Sequence, residues 1–238
     1  MKDSSCQARM QLFCLPYAGG NAYFFNSLKK TCTKNVEVVP IEYSGHGTRI
    51  NEPLIDNIEE FVKDICNEIL GKKRNMPYAL FGYSLGAKLC LFVAKSLYEI
   101  TDQKPVHIFA GASQPPNIVE KIDPQVWEND QVIIKILKEY GGLPEEVLKS
   151  KEILDLFLPI IKNDFKICEQ AVLDSREFTC DCEVTVFYSK DDNIKGRISD
   201  WSLYTTGKCE LILYEGNHFF INQHFEEIAM KINEKLFV

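Results

Sequence analysis

Histidine is scarce in this chain of 238 residues: there are four, and no two are spaced with further ligands in the manner of a metal site. A cysteine framework is missing as well. The nine cysteines are odd in number and scattered, several inside apolar runs such as Leu12-Phe13-Cys14-Leu15. They read as small buried thiols in a reducing compartment, which predicts a cytoplasmic protein. The one close pair, Cys180-Asp181-Cys182, lacks the spacing and the second pair of a zinc ribbon, so no metal is expected. Long runs of one charge sign are absent, and 27 basic against 34 acidic residues leave a net charge of −7. That balance argues against nucleic-acid binding, which depends on neutralising phosphates. The polar start, Met1 to Arg9, has no apolar h-region, so secretion is not expected. Met10 to Leu28 carries no charge, but Pro16, Gly19 and Gly20 interrupt it and no membrane span is expected. Neither internal repeats nor low-complexity segments occur.

What is present is an alternation of two periods. Gln11–Leu15, Val36–Ile41, Tyr78–Gly82, Val106–Ala110, Val184–Tyr188 and Glu210–Tyr214 are short apolar runs. They suit strands buried on both faces of a parallel sheet. Helical patterns stand between them at Ala22–Lys30, Ile58–Leu70, Leu85–Tyr98, Ile198–Tyr204 and Phe225–Leu236. The order predicts an α/β fold with right-handed crossovers, in a chain sized for one large domain over residues 1–238. From about Ser113 to Ser175 the strand signal stops. Short amphipathic patterns at Val132–Tyr140, Glu145–Leu148 and Ile153–Ile161 predict a helical insertion there, over about 113–175, serving as a lid.

The strongest local signal is Phe81-Gly82-Tyr83-Ser84-Leu85-Gly86-Ala87, where a strand-like run gives way to a helix. Gly-x-Ser-x-Gly at such a junction is a nucleophile elbow of α/β hydrolases. The turn around the serine is tight, so the positions two before and two after it must lack side chains. The helix start aims its amides at the place where an oxyanion forms. A hydroxyl is a weak nucleophile unless a histidine takes its proton and an acid orients that histidine. Three histidines follow Ser84. His107 lies in a strand and reads as a buried neutral ring, and His224 opens a helix and reads as a solvated one. His218 follows the last strand beside Gly216, and is the expected base. The acid is expected after the strand Val184–Tyr188, where Asp191 and Asp192 are adjacent. One would orient the imidazole while the other caps a turn. A second oxyanion amide, beside that of Leu85, is expected from Tyr17 or Ala18 in the loop after the first strand. The loop Ser44-Gly45-His46-Gly47-Thr48-Arg49 lacks a P-loop lysine and reads as a rim loop, with His46 outside the chemistry.

Six segments together resemble the type II thioesterases, the stand-alone editing hydrolases of nonribosomal peptide and polyketide synthases. They are Leu15-Pro16-Tyr17-Ala18-Gly19-Gly20, Ser44 to Arg49, Gly82 to Ala87, Gln114-Pro115-Pro116 with Gly141-Gly142-Leu143-Pro144, and Gly216-Asn217-His218-Phe219-Phe220. The resemblance runs from about residue 11 to 236. It implies an α/β-hydrolase fold with a mostly parallel sheet and a helical lid between the fifth and sixth elements of that sheet. It also implies hydrolysis of acyl thioesters on the phosphopantetheine arm of carrier proteins, by a monomer that needs no cofactor. Two positions depart from the family pattern: Tyr83 stands where histidine is usual, and Ser189 where the acid loop usually has glycine. Aligning Ser189 with that glycine makes Asp192 the acid; aligning Tyr188 with it would make Asp191 the acid. The first register leaves the strand without a gap and is preferred. The alternatives are a medium-chain fatty acyl thioesterase, a general carboxylesterase, or an idle subunit that only binds carrier proteins.

Overall fold

The computed structural model describes residues 9–119, 129–140 and 150–237. Six strands form one sheet: β1 Met10–Leu15, β2 Val36–Pro40, β3 Tyr78–Tyr83, β4 His107–Gly111, β5 Glu183–Ser189 and β6 Cys209–Tyr214. Their order is β2-β1-β3-β4-β5-β6, and every pairing is parallel. β1, β3 and β4 are buried along their whole length, as the uninterrupted apolar runs require. The edges differ from that expectation. β6 is half-exposed and turns Leu213 to solvent, because an edge strand has a neighbour on one side only.

Successive strand residues alternate between two cores. Phe13, Leu15, Leu80, Ile108 and Val186 pack with α2 (Ile58–Lys72) and α3 (Leu85–Thr101) on one face. Leu12, Cys14, Phe81, Phe109 and Phe187 pack on the other face with α1 (Asn26–Thr31) and the last helix. α2 starts where the Asn57 side chain accepts the N–H groups of Glu59 and Glu60 at 2.9 and 3.1 Å. Two acidic residues in its first turn and Lys72 in its last complement the helix dipole.

The helix-period segments are real but not all are α-helices. The Ala22–Lys30 pattern divides into a 3₁₀ turn, Ala22–Phe25, and α1. Ile198–Tyr204 is 3₁₀ throughout, with Trp201 and Tyr204 buried together because side chains three apart eclipse in that helix.

Between β4 and β5 lie α4 (Asp130–Tyr140) and α5 (Lys151–Gln170), whose Ile133, Leu137, Leu158 and Ile161 form a third cluster. The resemblance placed this insertion one sheet element too late; with six parallel strands described, it follows the fourth. The Glu145–Leu148 pattern and the Gly141–Pro144 motif lie outside the described residues, as do Met1 to Ala8. The last helix, α6, is Ile221–Leu236 and starts earlier than its pattern suggested, with a bend at His224. No helix among the described residues is long and apolar enough to cross a membrane.

In this strand order the chain runs outward from β1 to β2, then returns to β3 on the opposite side of β1. That reversal opens a crevice at the carboxyl ends of β1 and β3, where loops converge.

Candidate active site

Ser84 sits at the crevice, half-buried, between the end of β3 and the first residue of α3. Its backbone is forced to φ 55°, ψ −113°, a conformation that side chains rarely adopt. Two glycines make the turn possible. A Cβ at Gly82 would fall on the backbone carbonyl of Gly86, and one at Gly86 would fall on the carbonyl of Leu15. The Ser84 N–H donates to Gly111 O at 2.8 Å, tying the elbow to β4. The N–H of Leu85, at the first position of α3, has no acceptor within its own helix.

Three side chains carried on separate loops meet at the elbow. His218 Nε2 is 3.1 Å from Ser84 Oγ. His218 Nδ1 is 2.9 and 3.0 Å from the two carboxylate oxygens of Asp192, whose side chain is 3% exposed. Asp191, its neighbour, is exposed. A carboxylate can only accept, so it holds the proton on Nδ1 and leaves Nε2 free to take one from Ser84 Oγ.

The two departures from the family pattern both bind the base loop. Burial pushes the Tyr83 phenol well above its ordinary value, so it stays protonated, and it donates to the carbonyl of His218 at 2.7 Å. The Ser189 hydroxyl donates to Gly216 O and accepts the N–H of Asp191 at 3.1 Å. One hydroxyl thereby adds a second tie between the acid loop and the base loop, beside the Asp192–His218 contact, which glycine could not make. Chain order gave no hint of either bond, since both partners are backbone carbonyls more than 25 residues away.

The loop after β1 is fixed from three sides. Tyr43 donates to Pro16 O at 2.9 Å, the Tyr17 ring packs edge-on between Phe24 and Phe219, and Gly19 N–H donates to Asp164 Oδ2 at 2.6 Å. Tyr17 and Ala18 line the same cavity as Ser84, Leu85, Asp192 and His218. That cavity has a volume of about 270 Å³ and is also lined by Leu137, Phe157, Ile161 and Phe165 of the insertion.

His46 was expected on an open rim loop but is 2% exposed. Its Nδ1 faces Ser44 O and its Nε2 faces Asp164 Oδ2, both at 2.9 Å. Both neighbours are acceptors, so both ring nitrogens must carry hydrogen, which is the imidazolium. Burial opposes that charge, but the hydrogen bond and the negative charge of Asp164 outweigh it, and the pKa is raised. The folded protein therefore keeps this proton at pH values where the unfolded chain has released it. The stabilisation is complete below the ordinary histidine value of 6.5 and is lost as pH rises through the raised one. Melting of the wild type and His46→Gln from pH 5.5 to 8.5 should show the wild-type advantage shrinking with pH; a constant gap would contradict the charged pair. Asp164 is a polar residue inside the apolar stripe of α5, which is the only mark it leaves in the sequence.

The remaining histidines stand apart. His107 stacks on Phe109 at 4.2 Å and contacts Thr185 Oγ1 at 2.9 Å, and burial lowers its pKa to about 4. His224 is more enclosed than a solvated helix start suggests: it packs on Tyr214 at 4.9 Å and contacts Glu215 O at 3.2 Å, because α6 bends there. No group of three His, Cys, Asp or Glu residues converges as a metal site among the described residues.

Residues 10–236 match the model of the thioesterase domain family. The chain is 30% identical over 217 residues to the gramicidin S biosynthesis protein GrsT of Aneurinibacillus migulanus, covering 90% of this chain and 84% of that protein. It is 28% identical over 227 residues to the medium-chain S-acyl fatty acid synthase thioesterase of Rattus norvegicus, covering 94% and 86%. The solved structure of ClbQ from the colibactin NRPS/PKS pathway superimposes with a TM-score of 0.89 at 28% identity, covering 96% of this chain and 97% of ClbQ. The chain belongs to the thioesterase family, and its likeness runs to the type II enzymes of nonribosomal peptide and polyketide pathways.

Proposed function

We propose that this protein is a serine hydrolase that removes aberrant or stalled acyl groups from the phosphopantetheine arm of carrier proteins serving a nonribosomal peptide or polyketide synthase. The observation that carries the reading is the continuous set of contacts Asp192–His218–Ser84 at the mouth of an apolar cavity. His218 takes the proton of Ser84 as Oγ attacks the thioester carbonyl. The tetrahedral oxyanion is held by the Leu85 amide and by that of Tyr17 or Ala18; losing one such donor typically costs about 3 kcal/mol. Collapse expels the pantetheine sulfur, to which His218 returns the proton. Water, deprotonated by the same ring, then cleaves the acyl-Ser84 ester. Asp192 keeps the tautomer and stabilises the imidazolium throughout. No step in this sequence calls for a cofactor.

In this reading residues 1–238 form one domain and the β4–β5 insertion acts as a lid, delivering Leu137 and Ile161 to the cavity and Asp164 to the Gly19 loop. A cytoplasmic monomer is the state proposed; the free buried thiols of Cys14, Cys66 and Cys90 accord with a reducing compartment. The similarity to a medium-chain fatty acid synthase thioesterase supports a second reading, hydrolysis of longer fatty acyl thioesters. A cavity of about 270 Å³ is at the small end of ligand sites and favours short acyl groups. The test is kcat/KM for one short acyl group presented on a carrier protein, on coenzyme A and as a p-nitrophenyl ester. At least tenfold preference for the carrier is expected. Equal efficiency on coenzyme A would overturn the carrier reading. A preference for dodecanoyl over acetyl carriers would favour the second.

A further inference from the structure

Several polar side chains line the cavity besides those of the hydrolytic chemistry, and two of them stand out among the described residues as buried and unpaired. Lys88 is 4% exposed and Gln114 is 6% exposed, and both line the cavity that holds Ser84. Neither Lys88 Nζ nor Gln114 Nε2 has a hydrogen-bond partner among the described residues. A buried amine or amide left unpaired is costly, so such groups are normally satisfied by protein, water or ligand. Both orphaned groups are donors. Their neighbours on α3, Ala87, Leu89 and Leu91, are buried and apolar, so Lys88 is the exception on that stretch.

Both side chains are carried by the elements that hold the nucleophile. Lys88 lies one helical turn beyond the elbow on α3. Gln114 follows the end of β4, the strand whose Gly111 carbonyl receives the Ser84 N–H. A carboxylate presents acceptor oxygens to an ammonium and an amide together, and a charge-assisted contact of this kind is among the stronger hydrogen bonds. An acyl group that ends in an ammonium would meet Lys88 with like charge. Asp164 Oδ1 is a further buried oxygen without a partner, but Asp164 is not among the cavity-lining residues and its other oxygen already serves Gly19 and His46.

We propose that Lys88 and Gln114 form an acyl-end subsite that selects short acyl groups terminating in a carboxylate, the half-thioesters of small dicarboxylic acids. This assignment rests on the reading of the cavity as an acyl-thioester site and names the class of acyl group it takes. Malonyl and 3-methylbutanoyl groups test it, since they have nearly the same shape and differ in carboxylate against two methyl groups.

The experiment has a binding arm and a turnover arm. In the first, both acyl groups are presented on the same carrier protein to Ser84→Ala, with and without Lys88→Met, and Kd is measured by calorimetry. In the second, kcat/KM for both is measured on the wild type, Lys88→Met, Lys88→Arg and Gln114→Leu, with melting curves for each. The malonyl preference should exceed tenfold. It should fall by about 10- to 100-fold in Lys88→Met and by about fivefold in Gln114→Leu, and be largely kept in Lys88→Arg. No malonyl preference in the parent proteins, or one that survives Lys88→Met, overturns the subsite; this is also the result if Lys88 is neutralised internally by Asp164. Preferential malonyl binding with no turnover of any thioester supports the subsite while overturning the proposed hydrolysis.

Discussion

Replacing Ser84 by alanine is expected to lower thioester hydrolysis by about 10⁴- to 10⁶-fold while leaving a folded protein. The loss is large because in the proposed mechanism Oγ is the atom that bonds to the acyl carbon, and among the described residues Ser84 Oγ is the hydroxyl that meets His218 Nε2. The fold should survive. Ser84 is half-buried, its N–H bond to Gly111 is made by the backbone, and the φ of 55° is imposed by packing of Gly82 and Gly86 that alanine leaves intact. Melting within a few degrees of the wild type, with turnover of any carrier-bound acyl group reduced to background, is the expected result. Turnover within tenfold of the wild type would remove Ser84 as the nucleophile.

Asp192→Asn should cost about 10⁴ in kcat, and Asp191→Asn less than about twofold. The two side chains are adjacent in sequence and opposite in environment: Asp192 is enclosed against the imidazole and Asp191 faces solvent. An asparagine at 192 can turn its NH₂ toward Nδ1 and so favour the tautomer with hydrogen on Nε2. That tautomer points a donor at Ser84 and cannot accept its proton. The change is nearly isosteric, so the bond from Ser189 to Gly216 and the position of the base loop should be preserved. Full activity in Asp192→Asn with a large loss in Asp191→Asn would transfer the role to the neighbour.

The five predictions differ in reach. The Ser84 and Asp192 variants test the chemistry, the His46 titration tests how the β1 loop is held, and the carrier and malonyl comparisons test what enters the cavity. A protein can pass the first two and fail the last, because the proposed acyl-end subsite is Lys88 and Gln114 and not the elbow.

The chain by itself determined the sheet, the order of its elements and the candidates for the hydrolytic residues. Strand signals are local: apolar runs of five or six residues have one reasonable place, between two layers of helices, and all six appear close to their expected bounds. The elbow is local too, since Gly82 and Gly86 are needed by atoms within a few residues or by the strand next to them. His218 followed from chain order and a glycine-bearing loop.

The tertiary structure alone decided what depends on side chains distant in sequence. Asp191 and Asp192 offer the same chemistry and the same turn propensity, and only the path of the loop after β5 brings one of them 2.9 Å from the ring. His46 and Asp164 are 118 residues apart, and their pairing turns an apparent rim loop into a buried ion pair. Tyr83 and Ser189 resemble mere deviations from a pattern until their hydroxyls are seen on the carbonyls of His218 and Gly216. Lys88 reads in sequence as an ordinary helix lysine, yet it is 4% exposed in the wall of the cavity. Secondary structure is governed by neighbours along the chain, whereas burial and hydrogen-bond pairing of single polar groups are governed by neighbours in space, and no periodicity records them.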